Sequence, residues 1–109
     1  MDLHQDLVER ANSLFQIFGY ETILEDELPN GKGASDIIAR KLGHVPLVCE
    51  VKSSPTSPKS KKVLKQMQKY QSHYGTDYSY LLISPDVQGE ISVATMDGTY
   101  RGKLLDFLD

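Results

Sequence analysis

Asp36, Glu50 and Lys52 are the residues of this chain whose types and spacing could do chemistry together. Glu50 and Lys52 close the run Val48-Cys49-Glu50-Val51-Lys52. Two apart on a strand, they project from one face, while Cys49 and Val51 project from the other. Asp36 opens a neighbouring β-rich run, and a tight connection at Lys41-Leu42-Gly43-His44 folds the two runs into an antiparallel hairpin. Carboxylates brought side by side repel unless a cation lies between them, and oxygen donors suit Mg²⁺ or Mn²⁺. A lysine beside such a cation can hold an attacking water or steady the negative charge building on a phosphate. The plain alternative is an Asp, a Glu and a Lys paired at a strand end for solubility. Gly33, three residues before Asp36, permits close backbone approach, and charges ending an otherwise apolar strand need partners.

The elements that must position these residues follow from periodicity. Leu3, Leu7, Ala11, Leu14 and Phe18, widened by Val8 and Phe15, predict a helix over residues 3–18, ended by Gly19. Strands are expected over residues 20–24, 35–40 and 45–51, with Pro29-Asn30-Gly31 as a turn and Asp26 and Glu27 in an acidic solvated loop. The Ser-Pro stretch 53–58 is a loop, and Pro58 is suited to open a helix over residues 59–74 that stops at Gly75. Val63, Leu64, Met67, Tyr70 and Tyr74 share one arc of that helix; Lys59, Lys62, Gln66, Lys69 and His73 share the adjacent one. Strands at 80–84 and 91–95 follow, then a short terminal element at 104–108. The order α-β-β-β-α-β-β predicts one α/β domain over residues 1–109, with a mixed sheet flanked by helices.

Composition bounds the partners. The 109 residues carry a net charge of −3, yet residues 40–70 hold eight bases and one acid. That third is the footprint a polyanion would use, or else a solvated basic helix face. A single cysteine, Cys49, excludes an internal disulfide framework and an all-cysteine metal or iron–sulfur site. Alternation with Glu50 turns Cys49 to the core as a small hydrophobe. The opening MDLHQDLVER lacks signal-peptide character and no apolar run approaches membrane-spanning length, so no membrane partner and a cytoplasmic location are expected.

Asp36, thirteen intervening residues and then Glu50-Val51-Lys52, with Gly33 ahead, resembles the D-x(n)-E-x-K core of the PD-(D/E)XK nuclease superfamily. Gln66-x-x-x-Tyr70 looks like the QxxxY motif of its RecB-like branch, and the element order is similar to the restriction-endonuclease-like αβββαβ core. The resemblance spans roughly residues 5–84. It implies Mg²⁺-dependent hydrolysis of DNA phosphodiester bonds, with Mn²⁺ as a substitute. Asp36 and Glu50 would bind the metal with help from the Val51 carbonyl, and Lys52 would position the attacking water. Gln66 and Tyr70 would orient substrate or support the site from the helix. The superfamily often adds a glutamate on the first helix; Glu9 is the candidate, and Asp6, nearer the buried edge of the helical wheel, is its rival. Ser35, not proline, precedes Asp36, as in many superfamily members, and the cysteines of cluster-bearing members are missing, so no iron–sulfur cluster is expected. Glu50-Val51-Lys52-Ser53 also looks like a motif of the small archaeal Holliday-junction resolvases, although those are strongly basic dimers. Two-strand cutting by a domain with one site implies a homodimer.

Other residues have plainer readings. Tyr70 and Tyr74 lie beside Val63 and Met67 and suit packing better than stacking on DNA. Lys59, Lys62, Lys65 and Lys69 are spaced to track phosphates. His73 suits a solvated helix end, and His4 and His44 lack partners at metal-ligand spacing. The function of another class that remains open is a nuclease-like fold serving only to bind DNA or assemble. A chance motif in an ordinary α/β domain is the blandest reading.

Overall fold

Leu7, Val8, Ala11 and Phe15 recur at helical spacing and form the buried stripe of α1 (Leu3–Ile17). Asp2 caps this helix, its side chain accepting the His4 N–H at 3.0 Å. In the computed structural model, which describes residues 2–109, three strands follow: β1 (Glu21–Glu27), β2 (Ala34–Arg40) and β3 (Leu47–Val51). A one-turn 3₁₀ helix at Pro29–Gly31 joins β1 to β2. Then come α2 (Lys61–Tyr74), β4 (Ser79–Pro85), β5 (Ile91–Thr95), β6 (Arg101–Lys103) and α3 (Leu104–Leu108).

The six strands form one sheet in the order β1-β2-β3-β4-β5-β6. Neighbours are antiparallel except β3 and β4, which run parallel and so need a crossover, supplied by α2. On one face α1 and α3 pack Leu7, Ala11, Phe15 and Leu104 onto Ile37, Cys49, Leu81 and Ile83. On the other, Val63, Met67 and Tyr70 of α2 pack onto Ile38, Val48 and Leu82. Covered on both faces, β3 is buried at all five positions, as a central strand of an α/β sheet must be.

The hairpin β1–β2 carries a break that alternation alone does not suggest. Strict alternation would put Ser35 on the face of Ile37, under α1. Ser35 turns instead to α2, where its hydroxyl lies 2.9 Å from the Tyr74 hydroxyl, and Tyr74 also donates to the Asp26 carboxylate of β1. The alternation therefore changes face at Asp36. Directly across, Glu25 adopts φ 53°, with regular pairing on either side of it, Leu24 with Ile37 and Asp26 with Ser35. Holding a non-glycine residue there costs about 1–2 kcal/mol. The bonds converging on Tyr74 offset that cost.

Four expectations need correcting. Asp26 and Glu27 belong to β1 rather than to a loop, because the strand runs on to meet β2. Helix α2 begins at Lys61, capped by the Ser60 side chain on the Val63 N–H, so Lys59 and Pro58 precede it. Leu3 is exposed; the buried stripe of α1 starts one turn later. The terminal region adds β6, which pairs with β5 where Gly102 passes beneath Tyr100. A Cβ on Gly102 would meet the tyrosine oxygen at 2.7 Å.

Removing the hydroxyl that pins the break, in Tyr74→Phe, leaves Asp26 and Ser35 without their shared partner. A loss of about 1–2 kcal/mol in urea unfolding is expected; a stability unchanged from wild type would show that the break holds without Tyr74.

Candidate functional site

The break at Asp36 and the end of β3 meet at one end of the sheet. Register continues the pairing of Ile37 with Cys49, so Asp36 falls beside Glu50. One Asp36 oxygen accepts the Val51 N–H at 2.8 Å, fixing the carboxylate against the backbone of β3. The other lies 3.3 Å from His4 Nε2, in the first turn of α1. Glu50 is only 4% exposed. Its Oε1 lies 2.6 Å from the Tyr70 hydroxyl, and its Oε2 lies 3.2 Å from Lys52 Nζ. Gln66 completes a ring, accepting from Lys52 Nζ at 3.3 Å and donating to the Tyr70 hydroxyl at 3.0 Å.

Tyr70 has one hydroxyl proton and two acceptors within reach, Glu50 and the Ala34 carbonyl at 2.9 Å. Both accept from the Tyr70 hydroxyl, which in turn accepts from Gln66. Burial pushes the Glu50 pKa up from the usual carboxylate range to about 7, with the neighbouring Asp36 charge adding to the rise, while Tyr70 and Lys52 pull the other way. Burial and the adjacent Glu50 carboxylate also push the Tyr70 hydroxyl well above its ordinary value, so it stays neutral. Burial, with Asp36 adding to it, likewise keeps the Cys49 thiol protonated, so Cys49 is a hydrophobe and no nucleophile.

The structure thus brings Asp36, Glu50, Lys52, Gln66 and Tyr70 together, and Val51 meets the pair through its N–H. Glu9 stays outside: it is exposed on α1 and accepts from Gln5. Asp6, its rival, faces Arg10 at 4.0 Å. The first-helix residue at the site is His4, which sequence reasoning passed over for want of metal-ligand spacing. The signal was Asp2: as helix cap it puts His4 in the first turn. Tyr70, buried, holds Glu50 and is closed to stacking on substrate.

No family model matches the chain, and no curated protein does. What the site can do therefore rests on its own geometry. Among the described residues no group of three or more His, Cys, Asp or Glu side chains could hold a metal ion. The site offers two neighbouring carboxylates, Asp36 and the buried Glu50. Beside them α2 has four lysines and no acid, with Lys61 and Lys62 at its positive end against its own dipole. Lys59, Lys62 and Lys69 are all exposed, and Lys32 joins Lys65 and Lys69 along a shallow groove beside the helix.

A glutamate whose folded pKa is raised destabilises the metal-free protein as pH climbs from its unfolded value near 4.5 to about 7, and the full cost persists above that. Glu50→Gln is expected to raise the melting temperature of metal-free protein at pH 8, with the gain vanishing near pH 4. Mg²⁺ should stabilise wild type and leave the variant unchanged. Calorimetry at the two pH values checks this, and a variant less stable than wild type at pH 8 would refute it.

Proposed function

We propose that this chain is a Mg²⁺-dependent DNA endonuclease of the PD-(D/E)XK kind, with Mn²⁺ able to substitute. The observation that carries the reading is Glu50, a buried carboxylate held beside Asp36 on a central strand, with a lysine two residues on. A stable domain gains nothing from that repulsion, and a bound cation relieves it. The element order α1-β1-β2-β3-α2-β4, with β3 and β4 parallel across α2, supports a restriction-endonuclease-like core.

Asp36 and Glu50 would hold the metal, with His4 beside them against Asp36. A divalent cation there supplies Lewis-acid polarisation of phosphate and a lowered pKa for water. The remaining work belongs to side chains. Val51 N–H keeps one Asp36 oxygen fixed, and the other, now against His4, would turn to the metal. Tyr70 and Gln66 orient Glu50 and Lys52 from inside. Lys52, its side chain one-third exposed and its ammonium against Glu50 and Gln66, would meet a phosphodiester arriving from solvent. There it would position the attacking water and steady charge on the phosphate. The exposed lysines of α2 would hold the DNA backbone.

Incubation with linear, flapped, single-stranded and four-way-junction DNA tests this. Cleavage is expected with Mg²⁺ or Mn²⁺ and none with EDTA. Asp36→Ala and Lys52→Ala should each lower the rate at least about 100-fold, and Glu9→Ala should leave it intact. Tight binding to one of these DNAs without cleavage would favour a non-catalytic DNA-binding module, and neither binding nor cleavage would end both readings.

Each chain carries one such set, so cutting both strands of a duplex takes two copies. Sedimentation with non-cleaving Ca²⁺ and DNA is expected to show two chains per duplex; one chain at every concentration would overturn the dimer.

A further inference from the structure

A cavity of about 340 Å³ lies between the loop after β3, the β4–β5 turn and β6, and no role has been given to it above. Its walls continue the elements of the site itself. The Lys52 N–H donates to the Ile83 carbonyl at 2.8 Å, joining the end of β3 to β4. The chain just beyond each of those residues lines the cavity, Pro55 from the loop after Lys52 and Pro85 from the end of β4. Val87, 95% exposed, adds a third apolar surface, and Arg101 and Lys103 of β6 bring positive charge.

The two cations differ. Lys103 Nζ lies 2.9 Å from Glu90, which answers its charge. No carboxylate among the described residues lies within ion-pair distance of Arg101. Asp86 also lines the cavity; its Oδ1 accepts from the N–H groups of Gln88 and Glu90, at 2.8 and 3.0 Å, and its charge is felt by Lys103, while it makes no ion pair with Arg101. An uncommitted guanidinium is a fork for a phosphate. A phosphate contact alone, however, needs no concave apolar wall. Apolar walls with a few polar groups are what a small planar ligand fills. A base within a duplex is paired and stacked, so only an unpaired base can enter such a recess.

We infer that this cavity is a subsite for one unpaired nucleotide of the strand that crosses the catalytic set, its base against Pro55, Pro85 and Val87 and its phosphate on Arg101. The substrate class is then DNA with a single-stranded tail or flap at the cleavage point, in preference to continuous duplex. This rests on the nuclease reading for the identity of the strand.

Fluorescence anisotropy with the full chain tests it, using one labelled blunt duplex and the same duplex with a short single-stranded tail, with Ca²⁺ replacing Mg²⁺. Wild type is expected to bind the tailed DNA about tenfold more tightly. Arg101→Glu and Val87→Asp, both at exposed positions, should each abolish that preference while affinity for the blunt duplex stays within about twofold. Equal affinities in wild type, or an Arg101→Glu loss shared equally by both DNAs, would overturn the subsite. Cleavage assays run in parallel keep the two readings apart. Cleavage without tail preference removes the subsite alone; tail preference that depends on Arg101, without cleavage, removes the nuclease reading alone.

Discussion

A carboxylate on a fully buried central strand is the constraint around which this small domain is arranged. Glu50 occupies a position where the neighbours on its own strand are all buried and apolar. Burying a charge costs several kcal/mol unless partners or neutralisation compensate. The compensation here is spread over three elements. Tyr70 and Gln66 come from α2, Lys52 from the end of β3, and Ala34 from the start of β2. No buried side-chain nitrogen or oxygen among the described residues is left without a partner. The network is satisfied, with burial and the neighbouring Asp36 holding the Glu50 carboxyl above its usual range.

The same constraint explains the strained hairpin. Were β2 to alternate regularly through Asp36, Ser35 would sit under α1 and lose its partner on α2. The change of face turns Ser35 and Asp26 toward Tyr74 and lets Asp36 engage the β3 backbone on one side and His4 on the other. Strain at Glu25 is the local cost of that arrangement. Tyr70 and Tyr74, four residues apart on one helix face, divide the labour: the first anchors the buried carboxylate, the second anchors the break that aims the other.

Much of this was legible in the sequence because it depends on period and spacing. Glu50 and Lys52 share a face by alternation, Gln66 and Tyr70 share an edge of α2 by helical spacing, and the hairpin follows from its turn. What escaped depends on tertiary geometry. His4 reaches the site because α1 lies across the sheet with its first turn over Asp36, and the orientation of a helix on a sheet leaves no local trace. Arg101–Lys103 pairs as a strand only because β5 offers a free edge; three residues with a central glycine carry no pattern of their own. The positive φ of Glu25 is imposed by the partner strand and by Tyr74, against the preference of the residue itself.

The acidic total of the chain gives a misleading impression of its chemistry. Part of that negative charge lies at the edge of the sheet. Strand β1 exposes Ile23 and Leu24 along an unpaired edge, and Glu21, Glu25 and Glu27 are exposed along the same strand. Charges there prevent edge-to-edge association of an otherwise sticky strand. At physiological salt such charges are screened over about 8 Å. On α2, Lys61, Lys62, Lys65 and Lys69 have no acid on their own helix to answer them. Net charge averages two surfaces of opposite sign, an acidic sheet edge and a basic helix, so the total describes neither.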